Sequence, residues 1–343
     1  MVGIALSSYS GIGNAFKCMN EWDDSENTKF GAILTSCVIG GAMTGAIGCE
    51  PFINKVGKLR LMHMMNIVMC IGIGICMFNN IPVICVGRFI WGISFGCFSV
   101  ICAKYNNEIC PNEYKGPFGA ISQLTLTFGV CIPSLMALAI PTPQYLGGEC
   151  TEIQCVCLDK DEWIINGYWR IFWLVPAGIA VIHSILLIFC FNHETPVYLR
   201  EKGEDEKLLM VMKKFYHPSE IKARLASMAA SDSEGGAGEV SYYDTFFDPS
   251  IRRAAWVGIG LATFQQLTGI NGIIFFSGTL FSADFATKGT CIINVANFVS
   301  TGIGMGLLSY FGRKTLMLVL QVFVIIAMVG MWYFSDKEDK EGN

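Results

Sequence analysis

Between Ala254 and about Phe281 the chain is apolar and long enough to cross a bilayer, yet it reads FQQLTGINGIIFFSG from Phe264 to Gly278. Gln265, Gln266 and Asn271 put three amides into that stretch, with Gly269 and Gly272 among them. An amide both donates and accepts hydrogen bonds, so several of them around one cavity suit a ligand rich in hydroxyls. The same groups also join membrane helices to one another, and the residues by themselves allow either use. On a straight helix, Gln265 and Asn271 point about 120° away from each other at ~100° per residue. Both can address one small ligand only where the helix unwinds or bends, and Gly269 and Gly272 are where that costs least.

The elements that must hold these amides are membrane spans. The chain has 343 residues, 52% hydrophobic and only 15% charged, where a soluble domain carries about a quarter charged residues. Apolar spans are expected at about 31–49, 61–78, 82–103, 119–140, 169–191, 254–281, 290–309 and 315–334. They are preceded by a partial span ending near Phe16, which has neither the basic region nor the cleavage site of a signal peptide. A net charge of −4 gives no sign of a nucleic-acid partner. Most of the fifteen cysteines lie in the apolar runs, among them Cys37, Cys70, Cys76, Cys85, Cys97, Cys102 and Cys190, where they act as small polarizable hydrophobes. Cys150, Cys155 and Cys157 sit in a polar loop; one disulfide there is open, with a CxC metal site as the weaker reading.

Charge orients the spans. The loops at 50–60, 104–118, 192–253 and 310–314 hold sixteen Lys and Arg residues, while the opposite loops and ends hold six. The first set therefore faces the cytoplasm. Segment 192–253 is the one long soluble stretch: Leu208, Leu209, Val211, Met212 and Phe215 form a helical stripe on a charged background. SDSEGGAG (231–238) follows as a flexible linker by composition. The expected organisation is an N-terminal bundle over 1–191, this cytoplasmic linker with short amphipathic helices, a partial C-terminal bundle over 254–334, and a polar tail at 335–343. GKLRLM (57–62) and GRKTLM (312–317) echo each other six spans apart, as a duplicated six-helix unit requires.

Six motifs carry a more specific resemblance: GRFIWGISFG (87–96), EICPNEYKG (108–116), QLTLTFG (123–129), ETPVYLREKG (194–203), QQLTGIN (265–271) and GRKTL (312–316). In type, order and position they resemble the sugar porter family of the major facilitator superfamily. NKVGKLR (54–60) is similar to the asparagine-containing turn of animal glucose facilitators. The resemblance implies an all-α polytopic membrane protein of the major facilitator fold, with an N-terminal six-helix bundle and about three helices of a C-terminal bundle. It also implies transport of a hexose-type sugar by alternating access at the plasma membrane or an internal membrane. The implied sugar-contacting residues are Gln123 on the fifth span, Gln265, Gln266 and Asn271 on the seventh, and Asn294 on the eighth. Phe275, Phe276 and Phe298 either line the cavity or face lipid.

Lys58, Glu108, Lys115, Glu194, Arg200, Arg313 and Lys314 occupy the cytoplasmic turns. Read as residues they cap helices or lie at the membrane surface; read with the resemblance they form a gating network between bundles. Arg88 lies inside a span, where an arginine defaults to pairing or function, and the resemblance makes it chiefly a structural ion-pair partner. His63, Asn66 and His183 read as packing.

Departures from the family set further expectations. Proton-coupled members carry an aspartate on the first span, whereas SSYSG (7–11) has Ser10 there; a serine does not titrate near neutral pH, which favours facilitated diffusion over a proton-coupled sugar or polyol symport. Leu308, Ser309 and Tyr310 stand where an acidic residue is expected before GRK. Family members have twelve spans including a tenth-span tryptophan, so the chain reads as a partial copy, and a non-transporting sugar sensor or degenerate fragment is the alternative from another class. No nucleophile–base pair, metal-ligand cluster or phosphate loop is legible, since GIGNA and GGAG lack the strand–helix context. No enzyme activity, metal, cofactor or obligate protein partner is therefore expected, only a small sugar and the lipid bilayer.

Overall fold

The computed structural model describes residues 1–20, 22, 24–111, 115–139, 163–234, 246–247, 249–276 and 285–341. The loop holding Cys150, Cys155 and Cys157 lies outside them, as do residues 235–238 of the expected linker. The described residues form helices and no strands. In chain order these are α1 (Val2–Asn20), α2 (Asp24–Gly48), α3 (Glu50–Val56), α4 (Lys58–Cys76), α5 (Ile81–Ile109), α6 (Lys115–Ala137) and α7 (Trp163–Phe189). They are followed by α8 (Pro196–Glu201), α9 (Asp205–Phe215), α10 (Pro218–Glu234), α11 (Pro249–Leu267), α12 (Ile270–Phe276), α13 (Ala286–Tyr310) and α14 (Arg313–Glu341).

Seven of these helices are long and apolar enough to cross a bilayer. In hydrocarbon every backbone N–H and C=O must be satisfied within the chain, and a continuous helix does this. Pro51, Pro82 and Pro196 fall in the first turns of α3, α5 and α8, where a missing N–H costs nothing. The expected span at 254–281 differs: it is divided into α11 and α12 at Thr268 and Gly269. One other expectation is also revised. Ser231–Glu234 continue α10 rather than joining a linker. The polar tail is helical to Glu341, its Lys and Glu residues being good helix formers.

Two contacts shape the N-terminal bundle. Between α2 and α5, glycines let the backbones approach closely. A Cβ on Gly96 would stand 1.9 Å from the Ala42 carbonyl oxygen, and one on Gly45 would stand 2.1 Å from that of Ile93. Around α1 and α7, Phe16, Trp169 and Trp173 form a buried aromatic cluster with centroids 5.3–5.7 Å apart, in the offset and edge-on geometries that ring quadrupoles favour. On the other side α6 packs against α13, α1 against α12, and α14 lies almost wholly exposed.

Three of the loops read as cytoplasmic, those around Lys58, Glu108 and Glu194, converge at one end of the bundle. Leu208, Val211 and Met212 of α9 are buried with Leu199 of α8 and Tyr216. Tyr216 donates from its hydroxyl to the Ile109 carbonyl at 2.7 Å, which docks this small helical unit on the end of α5.

Candidate functional site

The expected seventh span breaks at Gly269, whose φ of 75° lies in the left-handed region that favours glycine. Around it Thr268 Oγ1 donates to the Gln265 carbonyl at 2.6 Å, and the Gly269 N–H donates to that of Gln266 at 3.2 Å. The break turns Asn271 back toward the preceding helix, so its Nδ2 donates to Gln266 Oε1 at 2.6 Å. The bend expected at the glycines is thus present at Gly269 alone; Gly272 lies within α12. Gln265 and Gln266 are exposed and Asn271 half-buried, and α12 packs on α1.

The other two amides lie on different elements. Gln123 is exposed near the start of α6 and lines a cavity of about 570 Å³ with Asn106, Ser122, Thr125 and His183. Asn294 is fully buried where α13 meets α6, and its Nδ2 donates to Ser134 Oγ at 2.5 Å. The five amides are therefore spread over α6, α11–α12 and α13. Phe298 packs on Phe128 of α6, their centroids 5.6 Å apart.

Three of the expected gating residues meet at the linker end of the bundle. Lys58 Nζ pairs with Glu108 Oε2 at 2.7 Å and lies 3.4 Å from Thr195 Oγ1. Gly57, at φ 93°, cannot cap α4 with a side chain; Glu194 supplies the cap instead, accepting from the Leu59 N–H at 3.0 Å. Burial pushes the Glu194 pKa above the usual glutamate value, against the opposing pull of the Leu59 and Arg60 N–H groups and the Lys58 ammonium. Arg200 donates to the Leu225 carbonyl at 3.4 Å, tying α8 to α10. Lys115 opens α6, and Arg313 and Lys314 open α14; among the described residues, neither Lys115 nor Lys314 forms an ion pair with the cluster.

Arg88 stands apart. It is 1% exposed, its Nε donates to the Leu34 carbonyl at 2.9 Å, and no carboxylate pairs with it among the described residues. The guanidinium instead lies 5.8 Å from the Tyr9 ring centroid and 5.9 Å from those of Trp91 and Trp173, where ring faces attract a cation.

The residues read as packing include a polar tie. Asn66 on α4 hydrogen-bonds His183 Nδ1 at 3.0 Å and Ser184 Oγ at 2.7 Å on α7. The available signal was a buried-type asparagine and a histidine inside two spans, a pairing only the tertiary fold discloses. Ser7, whose hydroxyl donates to the Val130 carbonyl at 2.8 Å, and Ser134 had no signal at all.

The family model described as sugar (and other) transporter matches residues 3–342. Hexose transporter 1 of Plasmodium knowlesi is 27% identical over 304 residues, 86% of this chain and 58% of that protein. Glucose transporter GlcP of Staphylococcus epidermidis is 30% identical over 281 residues, 81% of this chain and 55% of that protein. The chain thus spans between half and three-fifths of the length of such relatives. Among solved structures, the partially occluded inward-open xylose transporter XylE from E. coli superposes with a TM-score of 0.66 at 20% identity, over 92% of this chain and 71% of that one. The same TM-score holds for that major facilitator protein bound to 6-bromo-6-deoxy-D-glucose, over 67% of its length. The fold is that of the major facilitator superfamily.

Proposed function

The chain belongs to the sugar transporter family, and on that premise we propose that it takes part in moving a hexose-type sugar across a membrane by facilitated diffusion. The observation that carries this reading is the broken helix at Gly269. Gln265, Gln266 and Asn271 flank the break between α11 and α12, and irregular backbone at membrane depth belongs beside a cavity or a binding site. Neutral amides there fit an uncharged, hydroxyl-rich ligand. Gln123 and Asn294 are the further sugar contacts of this reading, and the Lys58–Glu108 and Glu194–Leu59 contacts its reversible ties at one end of the bundle.

Uniport is favoured because Ser10 stands where proton-coupled members carry an acid. Proton coupling needs a group that gains and loses a proton in the path. The test is uptake of radiolabelled D-glucose into proteoliposomes with and without an imposed inward proton gradient. Saturable uptake that equilibrates without accumulation and is unaffected by collapse of the gradient is expected. Accumulation above equilibrium that is lost on collapse overturns uniport, and saturable binding without flux makes the chain a sugar-binding protein rather than a carrier.

A further inference from the structure

The N-terminal bundle buries a positive charge that no carboxylate answers among the described residues. Arg88 Nε donates to the Leu34 carbonyl, but Nη1 is shielded and has no hydrogen-bond partner among the described residues. The rings around the guanidinium are Tyr9 of α1, Trp91 of α5 and Trp173 of α7. Their faces attract the cation, yet their own polar atoms repeat its predicament. Tyr9 Oη, Trp91 Nε1 and Trp173 Nε1 are shielded and equally without partners, and both tryptophans are fully buried. The remaining titratable neighbours of Arg88 are the thiols of Cys76, Cys37 and Cys85, and thiols and phenols stay protonated near neutral pH. Arginine does not give up its own proton. Guanidinium and indole N–H groups only donate, so unmet donors surround one fixed positive charge. Buried charges are paired and buried donors are met. A ligand that is negative and only accepts satisfies both demands.

We infer that Arg88 holds a small monovalent anion of the halide class, such as chloride, against Nη1, with Tyr9, Trp91 and Trp173 as the neighbouring donors. Size favours a halide over a larger oxyanion. Tyr9 has no room to swing aside, since a Cβ on Gly31 of α2 would already stand 2.7 Å from its ring. Arg88 lies two turns into α5, about 10 Å along the helix from Ile81, so the ion has a short way in from the membrane surface. Once bound, it neutralises the charge inside the bundle and joins α1, α5 and α7 through one shared acceptor. The inference concerns the N-terminal bundle alone and does not depend on the hexose reading.

The test is a halide titration of the full chain in lipid nanodiscs, with sodium gluconate holding the ionic strength constant. Bromide, a heavy-atom quencher, should quench tryptophan fluorescence with a saturable component, and chloride should compete it away. Chloride should also raise Tm along the same concentration curve, as a ligand of the folded state does. Arg88→Gln should abolish the saturable component, whereas Arg88→Lys, which keeps the charge, should retain it. Tyr9→Phe, which keeps the ring and removes one donor, should weaken bromide binding about fivefold to tenfold. Quenching of the parental chain that rises linearly and is not relieved by chloride reports collision alone and overturns the inference. A saturable component that persists unchanged in Arg88→Gln places the ion elsewhere and overturns it too. If Arg88→Gln does not fold, unchanged bromide affinity in Tyr9→Phe is equally decisive against it.

Discussion

A carboxylate 135 residues away in the chain closes the open end of α4, and the reason lies in Gly57, which turns the backbone but has no side chain with which to cap. Glu194→Ala should lower stability by about 1 kcal/mol, the usual value of a helix N-terminal cap, read as a fall in Tm. A Cβ on Gly57 would lie 2.5 Å from Glu194 Oε1, so Gly57→Ala should displace the same carboxylate, and the two substitutions should combine to less than their sum. The sign of the pH effect follows from burial. The folded-state pKa of Glu194 is raised, so across the interval from the ordinary glutamate value to the raised one the folded chain binds more protons than the unfolded chain. This contribution to stability is present below that interval and is lost as pH rises through it. Glu194→Gln, which keeps an acceptor for the Leu59 N–H, should flatten the dependence in a thermal-unfolding series against pH. The sequence placed Glu194, Lys58 and Glu108 in neighbouring loops and motifs, but a hydrogen bond between residues 194 and 59 depends on how α4 and α7 end beside each other.

At the scale of elements, glycines divide by surroundings. Gly96 in α5 sits under the Ala42 carbonyl with no room for a methyl group, so Gly96→Ala should cost about 1–3 kcal/mol by forcing α2 and α5 apart. Gly74 in α4 has nothing within 4 Å of such a methyl group, and Gly74→Ala should be neutral or stabilising by up to ~1 kcal/mol through helix propensity. Gly269→Ala meets open space but a φ of 75°; it should cost about 1 kcal/mol of backbone strain and weaken sugar binding by altering the break. Thermal unfolding of the three variants in detergent distinguishes these cases. The spans and the broken helix were legible because apolar length and a glycine among amides are local signals. Gly272 was not separable from Gly269 by the same signals, since either could bend a helix and only packing of α12 on α1 selects one. The helical continuation of α10 through Ser231–Glu234 was missed because composition weighs serine and glycine as linker residues, although the helix already propagating from Pro218 carries through the serines.

At the scale of the whole molecule, the helices α1, α2 and α4–α7 form a bundle tied at one end by α8–α10, and α12 and α13 pack on it through α1 and α6. This is a major facilitator arrangement, and the orders of six motifs in the sequence were enough to anticipate it. The sequence reading already set the five amides on three spans; what it could not give is their partners, because Asn294 meets Ser134 of α6 across 160 positions and Asn271 meets Gln266 only through the break at Gly269. Equilibrium binding of radiolabelled D-glucose to the chain in nanodiscs, with Gln265→Ala and Gln266→Ala compared with the parental chain, shows whether the amides at the break bind a hexose. Saturable binding displaced by unlabelled glucose is expected, weakened about tenfold in the variants while both remain folded in the membrane. Equal binding by parental chain and variants, or none by the parental chain, would contradict it.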